Sequence, residues 1–245
     1  MNTSIQLLGT GDAHAKHYYN NNALVLDEDY TLLIDCGLTA PLALQETGRP
    51  LSDLKAILIT HIHSDHVGGL IELALAIRTS FGIQITLLIP ELLVDPLWDF
   101  ILRKGYSQTN KGTSLHSFFN ITPIKPKVAY NLSPSIQFEL IPTPHVPGKH
   151  SYSILLNKDV FYSSDMTFQP KLLMSLVRER GVRILLHECQ LIGKGELHTT
   201  LQELLSLPPE IQEKIKLMHY SDARPDFTDR TGEMTFMEQQ IIYRF

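Results

Sequence analysis

Four metal-donor side chains fall within one short segment, His61-Ile62-His63-Ser64-Asp65-His66, directly after the apolar run Ala56-Ile57-Leu58-Ile59-Thr60. That run reads as a strand buried on both faces, since its aliphatic residues do not alternate with polar ones. Along the extended segment that follows, positions 61 and 63 carry their rings to one side. Asp65 and His66 fall to the other side as the chain turns toward the helix opened by Gly68-Gly69. One loop can thereby feed two adjacent metals. Neutral imidazoles and carboxylates are the donors that suit Zn²⁺, Mn²⁺ or Fe.

The rest of the chain alternates strands and helices. Residues 4–8, 23–26 and 31–35 read as strands, with a turn at Asp27-Glu28-Asp29-Tyr30. Residues 41–47 read as a helix closed by Gly48, and Leu70, Leu73, Ala74 and Ile77 recur at helical spacing. Further on, 136–141, 152–156, 160–163, 183–186 and 216–218 read as strands, and 170–180 and 199–205 as helices. Asp165, His187-Glu188 and His219 stand at or just beyond strand ends, where α/β layers carry function. The stretch 91–131 has no clean period and carries Trp98, Tyr106, Phe118 and Phe119 among four lysines, so it reads as an insertion or lid.

Length and composition fit one α/β domain spanning residues 1–245: 43% of residues are apolar and 19% charged, an ordinary globular balance. The net charge of −5 argues against a dedicated nucleic-acid wrapper. No apolar stretch is long enough for a bilayer, no signal peptide is apparent, and Cys36 and Cys189 form no CxxC pair. A cytoplasmic protein without disulfides or membrane contact is expected. Eleven histidines exceed what core packing needs. Of these, His14, His17, His116 and His187 are expected to be surface or structural residues.

The segment 61–66, written HxHxDH, resembles the metallo-β-lactamase superfamily. The resemblance continues in order through Gly9-Thr10-Gly11-Asp12, Leu33-Ile34-Asp35-Cys36-Gly37, Pro144-His145-Val146-Pro147-Gly148, Tyr162-Ser163-Ser164-Asp165 and Met218-His219-Tyr220-Ser221. It implies an αββα sandwich. It also implies two divalent ions, Zn²⁺ or alternatively Mn²⁺, with His61, His63 and His145 on the first and Asp65, His66 and His219 on the second. Asp165 would bridge both. His150 competes with His145 for its place, but the family sets this ligand before a Pro/Gly turn.

Leu186-His187-Glu188-Cys189 and Gly195-Glu196-Leu197-His198 resemble the tRNase Z branch of phosphodiesterases, in which a glutamate orients a histidine that serves the scissile phosphate. Carried over, Glu188 orients His198, and these two join Asp65 as catalytic residues. The Gly-Pro-basic arm of the tRNase Z enzymes is missing, and a closer resemblance is to the compact phage and bacterial anti-Pycsar phosphodiesterases. That implies hydrolysis of cyclic mononucleotides to linear ones by a homodimer, in a bacterial or phage-infected cytoplasm. Tyr106, Phe118 and Phe119 are expected to stack on the base, reaching the site in trans. Two alternatives stay open: a tRNase Z-type endoribonuclease acting on structured RNA, and a non-catalytic protein that sequesters cyclic nucleotides.

Overall fold

The computed structural model describes residues 3–102 and 114–244. The chain first lays down β1 (Ser4–Leu7), β2 (Ala23–Leu26), β3 (Thr31–Ile34), β4 (Leu54–Leu58), β5 (Ile85–Pro90) and β6 (Phe119–Ile124). It then crosses to β7 (Ala129–Asn131), β8 (Gln137–Pro142), β9 (Tyr152–Leu156), β10 (Val160–Tyr162), β11 (Ile184–Glu188), β12 (Ile215–Met218) and β13 (Thr235–Phe236). A last strand, β14 (Ile242–Arg244), returns to pair with β1, so the described strands form two sheets of seven.

Alternation along the second sheet shows what covers it. Tyr162, Leu186 and Met218 belong to one apolar cluster, which also holds Phe138, Ile154 and the strands of the first sheet. Their neighbours Phe161, Leu185 and Leu217 belong to a second cluster with Leu173 and Leu176 of the helix Pro170–Arg178 and with Leu204. Successive side chains of a strand point to opposite faces. The second sheet therefore packs on the first through one face and under helices through the other. The first sheet carries the helices Ala40–Glu46 and Leu70–Phe81, whose buried Ala43, Leu44, Leu70, Leu73 and Ile77 join the first cluster. The result is a mixed α/β sandwich, as the sequence implied.

Strand direction gathers the functional segments. β3, β4, β5 and β6 run parallel, as do β10, β11 and β12. Parallel strands bring their carboxyl ends to one edge, the usual site of ligand contact in α/β sheets. His61 lies beyond the end of β4, Asp165 beyond β10, Glu188 ends β11, and His219 follows β12.

The stretch 91–131 departs from the expected lid. Its last part supplies β6 and β7, which pair with β5 and β8. Phe118 and Phe119 are 7% and 1% exposed and pack in the core. Swinging either out to meet a nucleotide would forfeit about 1.5–3 kcal/mol of burial. They are core residues, not the base-stacking pair that the sequence suggests. The aromatic content that suggested a base platform is explained by the strand edge that it seals. Tyr106 lies outside the described residues. No helix among the described residues is long and apolar enough to cross a membrane.

Candidate metal centre

The six-residue segment after β4 divides as its spacing predicts. His63 is extended, and Ser64–Val67 forms a single helical turn that carries Asp65 and His66. On one side, His61 Nε2 lies 3.1 Å from His63 Nδ1, which lies 3.3 Å from His145 Nε2. Asp165 Oδ2 stands 3.6 Å from His61 Nε2 and 3.7 Å from His145 Nε2. On the other side, His66 Nε2 lies 3.3 Å from both Asp65 Oδ2 and Asp165 Oδ1. His219 Nε2 lies 3.5 Å from the same two oxygens. The two oxygens of Asp165 therefore face different donor sets.

These separations fit a pair of ions. Zinc bonds of about 2.0–2.1 Å at tetrahedral angles place neighbouring donors about 3.4 Å apart. Without an ion, His66 Nε2 and Asp165 Oδ1 are fully buried and have no hydrogen-bond partner. Buried polar atoms are rarely left so. The structure brings these side chains together with His145 among them, while His150 is exposed and outside the cluster.

Hydrogen bonds on the far ring atoms set which nitrogen faces the centre. His66 Nδ1 donates to Asp35 Oδ2 at 2.7 Å, and His145 Nδ1 donates to the Leu197 carbonyl oxygen at 2.8 Å. The Thr60 hydroxyl donates to the same Asp35 oxygen at 2.7 Å and lies 3.2 Å from His61 Nδ1, whose N–H it can accept. Each of these rings thereby keeps its Nε2 lone pair for an ion, the arrangement that orients metal-binding histidines. Asp35 and His219 sit at φ 59° and 53°, a left-handed backbone that costs a non-glycine residue energy and is held by the surrounding structure.

Asp35, Thr60 and the Leu197 carbonyl were not assigned roles from sequence. A carboxylate ending an apolar strand is a signal for Asp35; a backbone carbonyl contributed by a distant loop leaves no such signal. Gly37 is a further case of tight placement. A Cβ there would lie 1.9 Å from the Asp65 carbonyl oxygen, while Asn22 Oδ1 accepts the Gly37 N–H at 2.9 Å.

Charge separates the two donor sets. Burial, reinforced by neighbouring histidines, pushes His145 down to about 4 and His61 well below its ordinary value. Burial also opposes the charged form of His219, but the carboxylates of Asp165, Asp65 and Glu188 outweigh it and hold the ring up at about 9. His66 is raised likewise by Asp165, Asp65 and Asp35.

Beside the centre, His198 Nδ1 donates to Glu188 Oε2 at 2.8 Å. Burial disfavours a charged His198, but the bond and charge of Glu188 raise its pKa above the ordinary value. Glu188 Oε1 accepts the Met166 N–H, tying the pair to the residue after Asp165. His198, Glu188, Asp65, Asp165 and His219 line a cavity of about 410 Å³ whose other wall includes Asp12 and His14. His187 lies elsewhere in the structure, buried within β11.

The model of the Anti-Pycsar protein Apyc1 family matches residues 3–243. The Anti-Pycsar protein Apyc1 of Paenibacillus sp. (strain J14) is 54% identical over 239 residues, covering 98% of each chain. That of Bacillus phage BSP38 is 39% identical over 254 residues, again covering 98% of each. Among solved structures, the metallo-β-lactamase fold protein YhfI from Bacillus subtilis aligns over 100% of both chains with a TM-score of 0.75 at 16% identity. Human tRNase Z, short form, aligns over 98% of both with a TM-score of 0.69 at 19% identity. Sequence and fold agree with the site, and the chain belongs to the Anti-Pycsar Apyc1 family of metallo-β-lactamase fold proteins.

Proposed function

We propose that this chain is a phosphodiesterase that uses two divalent ions, Zn²⁺ or Mn²⁺, to hydrolyse cyclic nucleoside monophosphates to linear ones, countering cyclic-nucleotide immune signalling in the bacterial cytoplasm. The observation that carries the reading is the His198–Glu188 pair opening into the same cavity as Asp65, Asp165 and His219. It sets a proton donor beside a ligand set for two ions.

When bound, two divalent ions supply Lewis acidity toward the phosphate and toward water. His61, His63 and His145 would hold one, Asp65, His66 and His219 the other, and Asp165 both. Water adds to phosphorus, and the bond from phosphorus to the ribose oxygen breaks. A ribose alkoxide is a poor leaving group unless protonated. His198, with Nδ1 engaged by Glu188, keeps Nε2 for this step and would give its proton to that oxygen. Glu188 keeps the ring oriented and favours its cationic form. Family membership supports the cyclic mononucleotide as substrate, and the chain's acidic balance disfavours a long polyanion.

Exposed Leu38, in the turn before the helix Ala40–Glu46, and exposed Leu42 within that helix support a further proposal that two copies associate as a homodimer, which gel filtration at micromolar concentration tests. For the activity, the metal-loaded protein is incubated with a panel of cyclic mononucleotides and with precursor transfer RNA, and products are separated by chromatography. Linear mononucleotides with intact RNA are expected. RNA cleavage alone would replace this reading with an endoribonuclease, and tight binding without turnover would replace it with sequestration.

A further inference from the structure

The centre opens into two cavities, one lined by acids and one without them, and His63 lines both. The larger, about 410 Å³, is walled by Asp12, Asp65, Asp165 and Glu188 together with His198 and His219. The other, about 350 Å³, lies on the side of His61 and His145, and its walls are Ile62, Leu93, Pro96 and Val146. Lys149, His150 and Ser151 also line it, and His150 is exposed. None of its lining residues is an acid.

A nucleobase has two apolar faces and a polar edge. Burying it needs apolar walls with a few polar groups, and small-molecule sites of that kind begin at about 300 Å³. The acidic cavity has four carboxylates in its lining, and its apolar residues Ile192 and Leu197 are exposed side chains at its rim. The smaller cavity offers aliphatic walls on three separate segments: Ile62 between two ligand histidines, Leu93 and Pro96 after β5, and Val146 after His145. Phe118 and Phe119, the aromatic residues that a sequence reading would choose for this task, are sealed in the core.

We infer that the cavity bounded by Ile62, Leu93, Pro96 and Val146 is the base subsite of the substrate. It rests on the reading above, in which the phosphate lies at the centre. The substrate then spans the site in one direction. Its base lies on the His61–His145 side, and its leaving oxygen lies on the side of His198, which lines only the acidic cavity. Ile62, Leu93, Pro96 and Val146 thereby become determinants of nucleotide affinity, separate from the residues that carry the chemistry.

Binding of a product-like nucleotide tests this. Calorimetry on the metal-loaded protein compares adenosine 5′-monophosphate with ribose 5-phosphate, which has the same phosphate but no base. The nucleotide should bind at least about tenfold more tightly, a difference of about 1.4 kcal/mol. Val146→Trp and Pro96→Trp fill the cavity from two separate segments, so failure of one to fold leaves the other. Each folded variant should bring the two dissociation constants to within about twofold of each other. Equal affinities in the wild-type protein, or an advantage kept in a folded variant, would overturn the assignment. Turnover of cyclic nucleotides is read separately. If it is absent while the base advantage exists and is lost in the variants, the catalytic reading fails and the subsite stands.

Discussion

Glu188 joins His198 to the residue that follows Asp165. One of its oxygens receives the His198 Nδ1–H at 2.8 Å, and the other receives the backbone N–H of Met166, next to Asp165. His198→Ala should therefore keep both ions and lose on the order of 10²–10⁴ in turnover of cyclic nucleotides. Glu188→Gln should act in the same direction, less strongly. With bis(p-nitrophenyl) phosphate, whose leaving group needs no proton, the His198→Ala loss should shrink sharply. Parallel kinetics on the two substrates check this; an equal loss on both would remove His198 from the proton transfer.

Asp35 acts one step further out. Its carboxylate takes the His66 Nδ1–H and the backbone and side-chain donors of Thr60. Asparagine tolerates the left-handed backbone there, but cannot accept through both side-chain atoms. Asp35→Asn should lower affinity at the Asp65–His66–His219 site by about 10–100-fold. Metal titration read by calorimetry should show one weakened site and one near normal. Two unchanged sites would make Asp35 dispensable.

Gly37 tests the packing that holds the same site. An added methyl meets the Asp65 carbonyl oxygen at 1.9 Å, so the ligand turn must move. Gly37→Ala should cost about 1–3 kcal/mol of stability, and thermal unfolding in the presence and absence of metal measures it. The loss should be larger with metal present, because the displaced turn carries Asp65 and His66.

Much of this was legible in the sequence. The donors at 61, 63, 65 and 66 announced themselves because they sit in one turn at the end of an apolar strand. His145, Asp165 and His219 were legible only through resemblance, since three different strands bring them together. The role of 118–119 was misread because a buried edge strand and a stacking surface draw on the same aromatic residues. Only tertiary pairing of β6 with β5 distinguishes them. The Leu197 carbonyl was beyond reach, because a backbone acceptor has no residue identity.

His187 gives a pH signature apart from the metals. It is buried, its Nδ1 donates to the Glu188 carbonyl oxygen at 2.7 Å, and its Nε2 has no hydrogen-bond partner. Burial pushes its pKa down from 6.5 to about 4. As pH falls, the unfolded chain takes up the proton first, so this contribution to stability is present above 6.5 and lost between 6.5 and about 4. At pH 5 the loss amounts to about 2 kcal/mol. Urea unfolding of the metal-free protein should weaken between pH 7 and pH 5 more steeply in wild type than in His187→Gln. Parallel pH profiles in the two proteins would contradict the assignment.

Asp165 links two donor sets through its two oxygens. Metal analysis of the dialysed protein measures it directly. About two divalent ions per chain are predicted for wild type, as in two-metal hydrolases, and most of that metal should be lost in Asp165→Ala. Two ions retained per chain in the variant would contradict the bridge.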